Sequence, residues 1–167
     1  MRRRLNQEEW AYLYRLVGEG IWQVQHMEDA LQTLITIKVD VGHPGALSEG
    51  EAFERLARYR SFTLGKCLKV CNDNSVLPWQ LAERLSEFKA DRDWLVHRSV
   101  NSHSEAVYSD EGRAELFDKL VKFITHAKAL QAELKDEIQR YAAEHGVDIA
   151  ETERRARAKM AEIVGDS

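Results

Sequence analysis

The residues of this chain predict an all-α fold, an antiparallel bundle of four to five helices, on three observations. Apolar residues recur at steps of three and four through several long segments. Only two prolines and nine glycines occur in 167 residues, too few for a loop-rich sandwich or barrel. The one strand candidate, "TLITIKVDV", continues a helical stripe. The length fits one domain, and a chain of this size buries roughly two thirds of its unfolded surface. With 44% apolar and 31% charged residues, the composition is that of a folded protein and not a disordered one.

From Gln7 to Lys38 the stripe is Leu13, Leu16, Val17, Val24, Met27, Leu31, Leu34 and Ile35, one face of a helix. Gly18 and Gly20 leave two readings open inside it, a kink or a close approach by another helix. "VDVGHPGALSEGE" breaks the pattern with glycine and proline and reads as a loop. Ser48 with Glu51 then forms a capping-box signature. It starts a second helix that runs to about Cys71, with Phe53, Leu56, Ala57, Leu64, Cys67 and Leu68 inward. Pro78 suits the first turn of a third helix, which buries Trp79, Ala82, Leu85 and Phe88. "SVNSHSEAVYSDEG" reads as a loop. Ser109 or Asp110 caps a long fourth helix, whose stripe is Leu116, Leu120, Phe123, Ile124, Ala127, Leu130, Leu134, Ile138 and Tyr141. Gly146 stands where a helix C-terminal glycine belongs. Residues 1–146 thus form the bundle, and residues 147–167 a further helix or a partly frayed tail.

The net charge of −4 excludes a strong global attraction to nucleic acid, so any RNA contact needs a local patch. "MRRRLNQEEW" has a basic cluster with no apolar run behind it, and no run of 18 apolar residues exists. Neither a signal peptide nor a membrane span is expected, and a cytoplasmic protein is the default. Cys67 and Cys71, four apart on a helix, read as small hydrophobes, since a two-thiolate metal site needs further ligands nearby.

The chemistry concentrates in "KADRDWLVHRSV", Lys89 to Val100. The inward stripe Leu81, Leu85, Phe88 next lands on Arg92. A guanidinium on an apolar face costs several kcal/mol, on the order of a buried ion, unless it is paired. A bundle-stabilising ion pair is therefore the plain structural explanation. Asp93 and His97 are four apart and neighbours on one face, so the carboxylate can orient the imidazole and favour its protonated form. Arg92 and His97 are separated by roughly 500° of rotation. They cooperate if the helix ends near Val96 or if they meet across two subunits. Arginine can bind a phosphodiester and the charge that grows on it while histidine moves a proton. Arg98 and Lys89 add substrate-binding cations, and no metal or other cofactor is required.

"RDWLVH" resembles the R-x4-6-H signature of the HEPN family, whose residue after the arginine is often Asn, Asp or His, here Asp93. The family fold is a four- or five-helix bundle with the signature at the end of an internal helix. Many members are metal-independent ribonucleases of toxin–antitoxin, abortive-infection and CRISPR-linked systems, with the motif in a cleft between two subunits. The resemblance implies that His97 is the general acid/base, that Arg92 holds the scissile phosphate and that Asp93 orients the pair. It implies a homodimer acting on RNA, with an antitoxin or other protein as a further partner. Some HEPN toxins carry a tyrosine two positions after the histidine as a modification site; Ser99 stands there. Other members have lost activity and serve as modules for dimerisation and partner binding, which is the alternative reading here.

Other groups point to less. His103 reads as a solvated loop histidine, and His26 and His126 as packing or surface residues on long helices. No Glu-x-x-His, phosphate-binding glycine loop or serine-nucleophile elbow occurs. Trp10, Tyr12, Tyr14 and Trp22 divide between core packing and an aromatic patch for a partner helix, with base stacking the remoter reading. "RRARAK", Arg154 to Lys159, reads as a solvated helix face.

Overall fold

The computed structural model describes residues 2–99 and 105–165. It contains α1 (Gln7–Ile35) with a π-helical continuation (Thr36–Val41), α2 (Glu49–Arg60), α3 (Leu64–Asp73) and α4 (Trp79–His97). A short 3-10 turn (Ala106–Tyr108), α5 (Asp110–Glu144) and α6 (Ile149–Val164) follow. Among the described residues there is no strand, just an isolated bridge between Arg2 and Ser109. No described helix is long and apolar enough to cross a membrane.

The caps explain where the helices start. Asn6 accepts from the Glu9 amide while the Glu9 carboxylate accepts from the Asn6 amide, and Ser48 and Glu51 repeat that reciprocal pair. Ser109 caps α5, and Gly146 follows it with a φ of 70°. The expected single helix from Ser48 to Cys71 is instead two, because Thr63 caps a new start by accepting from the Lys66 amide. That break changes which face is inward. Tyr59 packs in the core and Leu56 is half-buried, whereas the expected core residues Phe53 and Ala57 are exposed. Trp79 is also exposed, against expectation, since Pro78 is the N-cap and Trp79 sits at the very start of α4; Leu81, Leu85 and Phe88 fill the core instead. In α5 the expected stripe from Leu116 to Leu134 is buried throughout. The last piece is a helix, with Arg154 and Arg155 reaching Glu151 on its solvated side.

Paired residues fix the directions. Glu28 meets Arg92 and Gly20 meets Leu95, so α1 and α4 are antiparallel. Phe88 stacks on Phe123 and Arg84 pairs with Glu133, so α4 and α5 are antiparallel too. By contrast Glu9 meets Arg113, Glu19 meets Lys128 and Lys38 meets Glu137. The two long helices α1 and α5 therefore run parallel, a departure from the fully antiparallel order. Five helices alternating up and down leave the first and last pointing the same way.

Gly20 permits the close approach that its position suggested. A Cβ there would stand 3.1 Å from Leu95 Cδ2 and 3.5 Å from Phe123 Cδ1, whereas one at Gly18 would meet nothing within 4 Å. Gly20→Val is expected to cost about 1–3 kcal/mol by overpacking. Gly18→Ala is expected to be neutral or to stabilise by roughly 0.5–1 kcal/mol, from helix propensity. Denaturant melts of the two variants check the contrast.

Candidate active site

α3 is short and α4 is long, and the site follows from that difference. α3 has 10 residues and begins beside Lys89, whose Cε lies 3.1 Å from where a Gly65 Cβ would be. α4 runs on past this point to His97. A cavity of about 320 Å³ opens where the start of α3 meets the second half of α4. Its walls are Thr63, Leu64, Gly65, Lys89, Arg92, Asp93, His97 and Arg98. All five residues singled out from the sequence thus line one space.

Within it Arg92 donates from Nε to Glu28 Oε1 at 3.2 Å and from Nη1 to Asp93 Oδ1 at 3.3 Å. Lys89 Nζ donates to Asp93 Oδ2 at 2.6 Å. Asp93 therefore ties Lys89 and Arg92 together, and the expected contact with the His97 ring is not made. The reason is competition: Lys89 sits one turn before Asp93 and carries a full charge, so it takes the carboxylate. His97 is exposed at the rim. It is the last residue of α4, with Arg98 as the C-cap, so the helix ends next to Val96 as expected, and Arg92 and His97 line the same cavity within one chain. Lys89 to Arg98 spans about 14 Å at roughly 1.5 Å per residue, so Arg92 and His97 occupy successive stretches of one wall. His103 lies outside the described residues.

Lys89 and Arg92 are held by two carboxylates, Glu28 and Asp93, and Arg98 and the first turn of α3, Thr63 to Gly65, line the same space. Helix N-termini carry partial positive charge and favour anions. Burial pushes the Glu28 carboxyl above its usual range, with the nearby Arg92 opposing the rise. The hydrogen bond from Lys89 holds Asp93 below its usual range. As pH falls, Glu28 takes its proton early and loosens Arg92. Asp93 keeps its clamp until the pH drops through its lowered value, and the stability it contributes is lost there. An NMR titration of side-chain carboxyls is expected to show Glu28 protonating above, and Asp93 below, ordinary carboxylates; the reverse order would contradict this arrangement.

Elsewhere the cysteines are fully enclosed. Burial raises the Cys67 thiol to about 11 and the Cys71 thiol to about 12, so neither is poised as a nucleophile. Among the described residues no three His, Cys, Asp or Glu side chains are grouped to hold a metal ion. Sequence reasoning missed Glu28, which sits 64 residues from its partner with no local sign of the pairing. It also missed the first turn of α3; the small polar Ser61 and Thr63 inside an otherwise helical run were the available signal. Comparison with known proteins finds no matching family model, no matching curated protein and no matching solved structure.

Proposed function

We propose that the chain is a HEPN-like, metal-independent endoribonuclease, with Arg92 and His97 as the reacting pair. The observation that carries this reading is that Lys89, Arg92, His97 and Arg98 line one cavity beside the first turn of α3. Its volume, about 320 Å³, is within the range of small-ligand sites, roughly 300–1,000 Å³. A phosphodiester held by Arg92 and the opening amides of α3 lies within reach of the His97 ring. His97 takes the proton of the ribose 2′-hydroxyl, whose oxygen attacks the adjacent phosphorus. The bond to the 5′-oxygen breaks, and that oxygen leaves with a proton from a second acid. In a homodimer the partner copy of His97 supplies that acid, and the pH–rate profile is bell-shaped. Lys89 and Arg98 hold flanking phosphates, and Asp93 keeps Lys89 and Arg92 in register. A toxin or defence role, with an antitoxin or other protein as partner, is the biological setting that fits. The test is purified protein with single-stranded RNA in a metal chelator: cleavage supports the reading, and intact RNA across the pH range overturns it.

One observation favours a second reading, the inactive helical module. Arg92 already has two carboxylates and its side chain is 20% exposed, which is how a structural ion pair looks. Arg92→Lys separates the two. It keeps the charge but loses the fork that bridges Glu28 and Asp93, so a purely structural role predicts a lower melting temperature. A phosphate-binding role predicts lost cleavage at similar stability.

A further inference from the structure

We infer that the groove running from the cavity down α1 is a track for single-stranded RNA, with flanking bases stacked on Tyr14 and Trp10. This rests on the ribonuclease reading of the cavity and extends it to the substrate beyond the cut bond.

The track follows from the helix lengths. In its upper half the seam between α1 and α4 is filled by α3, whose Leu64, Cys67, Leu68 and Cys71 are buried there. α3 begins level with Lys89, and α4 continues eight residues further, about 12 Å, with neither α2 nor α3 continuing beside it. On α1, Trp10, Tyr14, Ile21 and Glu28 are four, seven and seven residues apart. At about 100° per residue they stay within roughly 40° of one another. Glu28 reaches Arg92, so the whole strip faces the α4 side. Below Glu28 it is uncovered: Tyr14 is 67% exposed, Trp10 40%, Ile21 39%, and Val96 on α4 43%. Such a strip would ordinarily be buried in a single domain.

Charge identifies the occupant. Between Gln7 and Glu28 this sector of α1 carries no charged residue, while the head of the groove holds the cations Lys89, Arg92 and Arg98 beside the carboxylate of Asp93, with Arg92 also paired to Glu28. An apolar floor ending in a cationic pocket matches a chain of bases joined by phosphates better than a uniformly apolar partner helix. The rings are already in a stacking arrangement, Trp10 and Tyr14 lying 5.5 Å apart at 25° between planes. Their spacing fits a strand as well. Leu95 is level with Gly20, which puts His97 near the level of Gly18. Tyr14 then lies about 6 Å beyond it and Trp10 about 12 Å, one and two nucleotide steps.

The test uses a 12-nucleotide single-stranded RNA with 2′-O-methyl groups, which cannot be cut, and a dinucleotide monophosphate of the same chemistry. Tyr14→Ala and Trp10→Ala are each expected to weaken binding of the 12-mer by about tenfold or more and to leave the dinucleotide unchanged. Tyr14→Phe, which keeps the ring, should bind as the parent does. Unchanged 12-mer binding by both alanine variants overturns the track; if the parent still cleaves RNA, the reading of the cavity stands without it. No binding of the 12-mer by the parent overturns the track and the ribonuclease reading together. A dimer that both alanine variants convert to monomer, seen by sedimentation, assigns the strip to a second copy and also overturns the track.

Discussion

His97→Ala is expected to lower RNA cleavage by about 10²–10⁴-fold, the ordinary size of a lost general acid or base. The side chain is exposed at the rim of the cavity, so helicity and melting temperature should hardly change. That separation between activity and stability makes the variant informative. Steady-state cleavage of a fluorescent single-stranded RNA, followed beside a thermal melt, reads both quantities. In cells, expression of the parent should slow growth and the variant should relieve it. A variant that cleaves as fast as the parent removes His97 from the chemistry and leaves the cavity as an ion-pair cluster.

The largest stability effect is expected at Lys38, far from the cavity. Lys38 lies in the π-helical continuation of α1, where its Nζ donates to the Val76 carbonyl at 2.9 Å and to Glu137 Oε1 at 2.5 Å. The side chain of Glu137 is 7% exposed. One ammonium thus joins the π-helical end of α1, the loop before α4 and the C-terminal part of α5. Lys38→Met keeps most of the packing stem and removes the charge, leaving a buried carboxylate with Arg140 as its remaining partner. Breaking one side of such a pair costs about 3–5 kcal/mol. For a chain of this length that is a fall in melting temperature of roughly 6–20 °C, at about 2–4 °C per kcal/mol. The double variant Lys38→Met with Glu137→Gln should recover part of the loss, because no uncompensated charge is then enclosed. A single variant that melts with the parent would mean that Glu137 is solvated or neutral in the folded protein.

Much of the architecture was legible because helix packing repeats along the chain. The stripe from Leu116 to Leu134 on α5 is buried, and so is that from Leu16 to Ile35 on α1 except for the half-buried Val17, as their spacing demands. The capping residues Ser48, Ser109 and Gly146 act at the positions read for them. Arg92 was suspect from its place on an apolar face, and it is indeed held by carboxylates. The stripes, the caps and the place of Arg92 on an apolar face are local: each depends on residues within a turn or two, so a one-dimensional pattern contains them.

What the tertiary structure decided is the break at Thr63 and everything it positions. Periodicity carried the second helix through to Cys71, since Leu64, Cys67 and Leu68 keep the stripe going. The chain turns instead because Tyr59 and Phe62, edge to face with centroids 5.5 Å apart, pack the corner while Thr63 caps a new start. That corner sets the first turn of α3 against Lys89. Glu28 finds Arg92, and Lys38 finds Glu137, across 64 and 99 residues respectively. The sequence alone determined an all-helical chain and a cationic segment near Arg92 and His97. The cavity those residues share is a product of long-range packing, because where α3 begins is set by contacts between helices that no local spacing encodes.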